Sequence, residues 1–174
     1  MPPRPPQQID RPFTVFISSS QSEFEEFRQG LKADLDNEKW STLRPMRAIL
    51  IENQRGPVIH DEIRKEIDRC SIYIGIFGRI WSEWTSAEFR YARSKDLPLM
   101  IYKVAKTPTK QRGRSTKVDS FLQSQAKQFG FRVRGPYKIE RLEADIITDL
   151  VIQVSDMVRE LSEIKKLTHP GLIL

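Results

Sequence analysis

Ser18, Ser19 and Ser20 stand together where an apolar run gives way to a helical pattern. Hydroxyls at a helix N-terminus, beside backbone N–H groups that lack helical partners, suit an anion such as phosphate. Serine is also an ordinary helix cap, and the spacing leaves both readings open. Trp81 and Trp84 fall in one loop, with Arg79 just ahead of them. Two tryptophans there could wall a pocket for a flat ring such as a base; burial against a sheet edge explains them equally well. Glu88 follows in a helical pattern. A single carboxylate can stabilise a sugar ring that gains oxocarbenium character, as in glycoside hydrolysis. The plainer account of Glu88 is an acidic residue in a first helical turn, where it complements the dipole.

Other chemistries find less support. The serines lack a Gly-x-Ser-x-Gly frame, there is no glycine-rich phosphate loop, and no His, Asp and Glu cluster has metal-ligand spacing. Cys70 is the only cysteine, so neither a disulfide framework nor a cysteine metal set is available. It follows an apolar stripe and is expected in the core. His60 sits just inside a helical stretch and reads as a surface residue. No metal and no cofactor are expected.

The elements that must position these residues alternate. Residues 13–18 (Phe-Thr-Val-Phe-Ile-Ser) form a β-branched and aromatic run, a buried strand by type. Ser20 with Glu23, and Ser22 with Glu25, have capping-box spacing before a helix carrying Phe24, Phe27, Leu31 and Leu35 on one face. A second strand is expected over 48–51, a turn over 52–57, and a helix bearing Ile59, Ile63, Ile67 and Cys70. Residues 71–77 (Ser-Ile-Tyr-Ile-Gly-Ile-Phe) are almost continuously apolar, as a central strand covered on both faces would be. A helix is predicted near 85–94, which puts Glu88 in its first turn. A strand over 97–102, a helix over 118–129, an edge strand over 131–137 and a long helix with Leu142, Ile146, Leu150, Val154, Val158 and Leu161 on one stripe complete the chain. Strands joined through helices demand right-handed crossovers and a parallel sheet. The expected fold is therefore α/β: a flavodoxin-like, doubly wound, five-stranded, mostly parallel sheet with helices on both faces. Ligands bind such sheets at the carboxyl ends of the strands.

A chain of 174 residues, 39% apolar and 30% charged, suits one soluble domain. The organisation reads as a disordered proline-rich arm over 1–12, the α/β domain over 13–166 and a tail over 167–174 leading into a further domain or a partner contact. The longest apolar runs are too short for a bilayer, and the opening MPPRPPQQIDRP is no signal peptide, which points to the cytoplasm. Much of the net charge of +6 sits over 103–117. That block reads as a phosphate-binding loop or a solvated one, and it holds no aromatic residue for stacking bases, which counts against nucleic acid. A helix over 140–166 would run roughly 40 Å, longer than the domain needs. Its overhang is expected to meet a second copy or a partner domain.

In this order the residues resemble a known family. Phe13-Thr14-Val15-Phe16-Ile17-Ser18-Ser19 looks like the first box of TIR domains. Gly56-Pro57, the Ile59, Ile63 and Ile67 helix, and the run from Ser71 to Ile76 are similar to the TIR loop, helix and central strand. Ser82, Trp84 and Glu88 match a TIR pattern of serine, tryptophan and a glutamate four residues after the tryptophan. The match is best to an uncharacterised TIR-like family, a domain of unknown function that often stands at the N-terminus of larger NTPase or repeat proteins. Arg79-Ile80-Trp81 and the 103–117 block depart from its pattern. The resemblance implies a signalling or defence module. In catalytic TIR domains the glutamate matching Glu88 serves cleavage of the nicotinamide–ribose bond of NAD, so NAD would be a substrate here. Nicotinamide leaves as a neutral group, so no general acid is needed. The resemblance equally admits a non-catalytic scaffold, and related nucleoside 2-deoxyribosyltransferases place a nucleophilic glutamate at a comparable point.

Overall fold

The computed structural model describes residues 13–37, 46–50, 57–104 and 117–168. The proline-rich arm, the turn over 51–56, the basic residues over 105–116, the last residues of the tail and the side chain of His60 lie outside that description. Within it, elements alternate as β1 (Phe13–Ser19), α1 (Gln21–Asp36), β2 (Met46–Ile49), α2 (Pro57–Arg69), β3 (Ile72–Phe77), α3 (Glu83–Ser94), β4 (Leu99–Val104), α4 (Lys117–Phe129), β5 (Val133–Tyr137) and α5 (Ile139–Thr168). The strands form one sheet in the order β2-β1-β3-β4-β5 with every pairing parallel. This is the flavodoxin-like, doubly wound arrangement the alternation predicts, with β3 in the middle.

The apolar pattern explains the layering. Along β1 and β3 neighbouring side chains go to opposite faces, and both faces are buried. Val15, Ile17, Ile72, Ile74 and Ile76 pack with Phe24, Leu31 and Leu35 of α1 and Leu142, Ile146, Leu150 and Val154 of α5. Phe16, Tyr73 and Phe77 pack on the other face with Ile63 and Ile67 of α2, Phe89 and Ala92 of α3, and Val118 and Leu122 of α4. Cys70 belongs to this second layer.

Several boundaries differ from the sequence expectation. β2 lies at 46–49 rather than 48–51, because as an edge strand it exists only where it pairs with β1, from Phe13↔Met46 to Phe16↔Ile49. β4 begins at Leu99; Pro98 stands just before it, its carbonyl accepting from the Tyr73 N–H at 3.0 Å. β1 runs one residue beyond the expected 13–18, so Ser19 is a strand residue. α3 begins at Glu83, so Glu88 is in its second turn rather than its first.

Gly75 occupies the middle of β3, opposite Ser18 in the register. A Cβ there would stand 2.9 Å from Phe77 Cε2 and 3.1 Å from both Tyr73 Cε1 and Ile101 Cδ1. Tyr73 cannot yield, since its ring is stacked on Phe16 at 5.9 Å and meets Phe89 edge-on at 6.4 Å. Gly75→Val is therefore expected to lower stability by about 1–3 kcal/mol despite the β-propensity of valine. A urea midpoint equal to or above that of the parent would refute this.

Candidate functional site

β1 and β3 are neighbours, so the segments that follow them share one rim at the carboxyl edge of the sheet. β1 delivers Ser18 to the face covered by α2, α3 and α4, the face Phe16 also occupies. From above, α3 lowers Glu88 onto the same spot. Ser82 caps this helix by accepting from the Thr85 N–H at 3.1 Å, and its first-turn acid is Glu83. The pull of a helix dipole fades beyond the first turn, so helix stability alone does not account for Glu88. The Ser18 hydroxyl donates to the Glu88 carboxylate across 70 residues of sequence.

The surroundings are mostly aromatic. Tyr73 is fully buried against Phe16 and Phe89, and Phe89 continues to Phe121 at 5.5 Å and Phe131 at 5.3 Å. Burial in this setting pushes the Glu88 carboxyl up to about 7, against the opposing influence of the Ser18 hydrogen bond and the Arg28 charge. Arg28 lies in the otherwise apolar stripe of α1 and is itself buried. Burial, then the nearby Glu88 charge, raises the Tyr73 phenol well above its ordinary range, and Ser18 partly offsets them. The Ser18 proton is committed to Glu88, and among the described residues the Tyr73 hydroxyl has no partner within hydrogen-bond geometry. The buried Ser19 hydroxyl likewise has none. A carboxyl poised near neutrality, held by one hydroxyl, is suited to contacting a sugar hydroxyl or a ring that gains positive charge.

The structure thus joins Glu88 to Ser18 and sets Ser19 and Ser20 on the same rim. Ser20 occupies the α1 cap position without a side-chain capping bond, and its hydroxyl lies 3.2 Å from that of Ser22. The expected Ser20–Glu23 capping box does not form, because Glu23 reaches instead to the N–H groups of Arg79 and Ile80. Trp81 turns toward α4: its ring meets Phe121 edge-on at 5.2 Å and carries the Lys117 ammonium at 4.4 Å, while its indole N–H donates to Glu83. The Lys117 and Trp81 hydrogen bonds hold the exposed Glu83 below the usual carboxylate range. Trp84 is 41% exposed, and Arg79 is exposed on the turn after β3. Trp81 is thus engaged by Phe121, Lys117 and Glu83 rather than by Glu88.

Sequence reasoning missed Tyr73, Arg28 and Glu23. Tyr73 hides inside an apolar run that reads as strand core. Arg28 does carry a signal, as the one charge on the stripe Phe24, Leu31 and Leu35.

The role of the Ser18 hydrogen bond can be isolated. It favours the charged carboxylate, so Ser18→Ala is expected to move Glu88 above about 7. A ¹³C-detected titration of the Glu88 carboxyl that moves down or stays put would contradict it.

Among the described residues no helix is long and apolar enough to cross a membrane. In comparisons with known proteins, the sequence model for a domain of unknown function, DUF4062, matches residues 14–150. No curated protein matches the chain. Among solved structures, the chain is similar to the crystal structure of the RPS4 and RRS1 TIR domain heterodimer. That likeness has a TM-score of 0.53 and 12% identity, covering 81% of this chain and 96% of the other. At that identity it speaks for the fold, which is TIR-like.

Proposed function

This chain belongs to the DUF4062 family, and we propose that it is a TIR-like signalling or defence module whose Glu88 site cleaves the nicotinamide–ribose bond of NAD. The observation that carries the reading is the meeting of Glu88 with Ser18 at the carboxyl edge of the sheet, in surroundings that hold the carboxyl near neutrality. In the proposed reaction the bond from the ribose carbon to the nicotinamide nitrogen breaks, and its electron pair neutralises the departing ring. The ionised Glu88 stabilises the ribosyl cation left behind. Water adds to that carbon and gives up a proton, so the products are nicotinamide, ADP-ribose and a proton. Ser18 holds the carboxylate in place, and the rim serines, Arg79 and the helix N-termini receive the phosphates. The same reading puts the module in the cytoplasm, at the N-terminus of larger NTPase or repeat proteins.

The test is to incubate the purified chain with NAD, at high concentration and under crowding, and to assay free nicotinamide. Release above a chain-free control is expected; none at any concentration defeats the enzymatic reading. A second reading, a non-catalytic scaffold, draws on the exposure of Ile80 (47%) and Trp84 (41%) on this rim. Such side chains suit a partner surface, and the similar TIR structure is itself a heterodimer. Self-association through α5 belongs to this reading. A nicotinamide assay that stays blank while sedimentation shows self-association would favour it.

A further inference from the structure

The turn that follows β3 holds an anion already, and the anion belongs to the protein. Both Glu23 carboxylate oxygens accept from the Arg79 N–H, at 2.8 and 3.1 Å, and one accepts from the Ile80 N–H at 2.9 Å. Two successive amides converging on one anion form a concave nest, the backbone device proteins use for phosphate. Gly78 completes it: a Cβ at that position would run into the Glu23 carboxylate, so the space exists only because the residue is glycine. The nest faces solvent, since Arg79 and Ile80 are exposed and Glu23 is half-buried. Arg79 adds a cationic side chain to the same turn.

The occupant comes from an element that breaks beside it. Phe24, the residue after Glu23, departs from helical geometry at φ −134° and ψ 22°, so the first turn of α1 is set off from the rest of the helix. At Ser20 the side-chain cap that would anchor this turn is absent. Glu23 ties the turn to a loop 56 residues away instead of to its own helix end.

We propose that the turn 78–80 is a receptor for a phosphate-type anion and that Glu23 is its internal competitor, holding it closed until such an anion displaces the carboxylate. The ligand class is a phosphate or pyrophosphate group, free or carried by a nucleotide. The proposal goes beyond the Glu88 reading, with which it shares Arg79; neither Ser18 nor Glu88 takes part in the nest, so pyrophosphate binding here and nicotinamide release can each fail without the other.

The experiment follows the Arg79 and Ile80 amide resonances of the full chain during titration with inorganic pyrophosphate and, separately, with ADP. Glu23→Gln keeps the shape and one acceptor oxygen but loses the charge, so it is the primary variant; Glu23→Ala is the second. With the competitor weakened, pyrophosphate is expected to bind Glu23→Gln at least about tenfold more tightly than the parent, shifting both amides saturably. Adding Gly78→Ala to that variant, which fills the nest with a methyl group, should abolish the shifts. Tighter binding of ADP than of pyrophosphate marks a nucleotide receptor, and equal binding marks a receptor for the free group. Equal responses in parent and variants, shifts confined to other basic surfaces, or binding that survives Gly78→Ala would each overturn the proposal. Should both Glu23 variants misfold, the parent decides, because excess pyrophosphate must still move these two amides, and silence there overturns the proposal as well.

Discussion

Glu88→Gln should lower nicotinamide release from NAD by about 10²–10⁴-fold while the chain remains folded. Glutamine keeps the shape of the side chain and can still accept from the Ser18 hydroxyl, so the contact that fixes residue 88 survives. What disappears is the negative charge that would face a ribose gaining positive character. The active species is the ionised carboxylate, and Glu88 titrates at about 7. Release by the parent is therefore expected to climb as pH rises through about 7 and to level off above it. Nicotinamide departs neutral, so no protonated partner is required, and Glu88 imposes no falling limb at higher pH. Ser18→Ala should carry the rising limb upward along with the Glu88 titration. Undiminished release in the Gln variant would exclude this mechanism, and a flat profile across neutrality would detach the activity from Glu88.

The parts of the fold that were legible in the sequence are those where one physical demand dominates. The run from Ile72 to Phe77 reads as a central strand because only a strand covered on both faces tolerates such continuous burial. The four-residue spacing of Leu142, Ile146, Leu150 and Val154 reads as a helix lying on the sheet, and all four are buried. Where two demands compete, local pattern misleads. Leu50 looks like strand, yet β2 ends at Ile49, where its pairing with β1 ends. Glu23 has the spacing of a capping-box acid, but two amides across the rim outcompete its own helix end. Ser82 followed by Glu83 was a legible start for α3, and taking it would have put Glu88 in the second turn.

The order of the elements put Glu88 and Ser18 on one rim, but their direct contact could not be read, because it depends on how α3 lies across β1. The gap at Gly75 has the same origin. On the sequence it is a weak position in a strand; in the sheet it is the space in which Tyr73, Phe77 and Ile101 close over the strand beside Ser18. Trp81 shows the converse, a residue whose type suggests a ligand wall and whose ring packs against Phe121.

The half-buried Glu88 also leaves a signature in stability that needs no substrate. Its ordinary value is 4.5, and the fold raises it to about 7, chiefly through burial. Below 4.5 the residue is protonated in both folded and unfolded chains and contributes no pH dependence. Between 4.5 and about 7 the unfolded chain releases the proton while the folded chain retains it, so the unfolded state binds fewer protons. Stability must then fall as pH rises through this window, and the loss is complete above about 7. A displacement of that size corresponds to about 3 kcal/mol. Other carboxyls titrate in the same range, so the measurement is a difference between parent and Glu88→Gln, taken from urea unfolding at intervals from pH 4 to pH 8. Glutamine does not titrate, and it keeps the neighbours Ser18, Tyr73 and Arg28 in place. The advantage of the variant over the parent should therefore grow with pH across the window and hold steady beyond it. A difference that stays constant from acid to neutral pH would mean that Glu88 ionises as freely in the folded chain as in the unfolded one, and the poised carboxyl on which the catalytic reading depends would be gone with it.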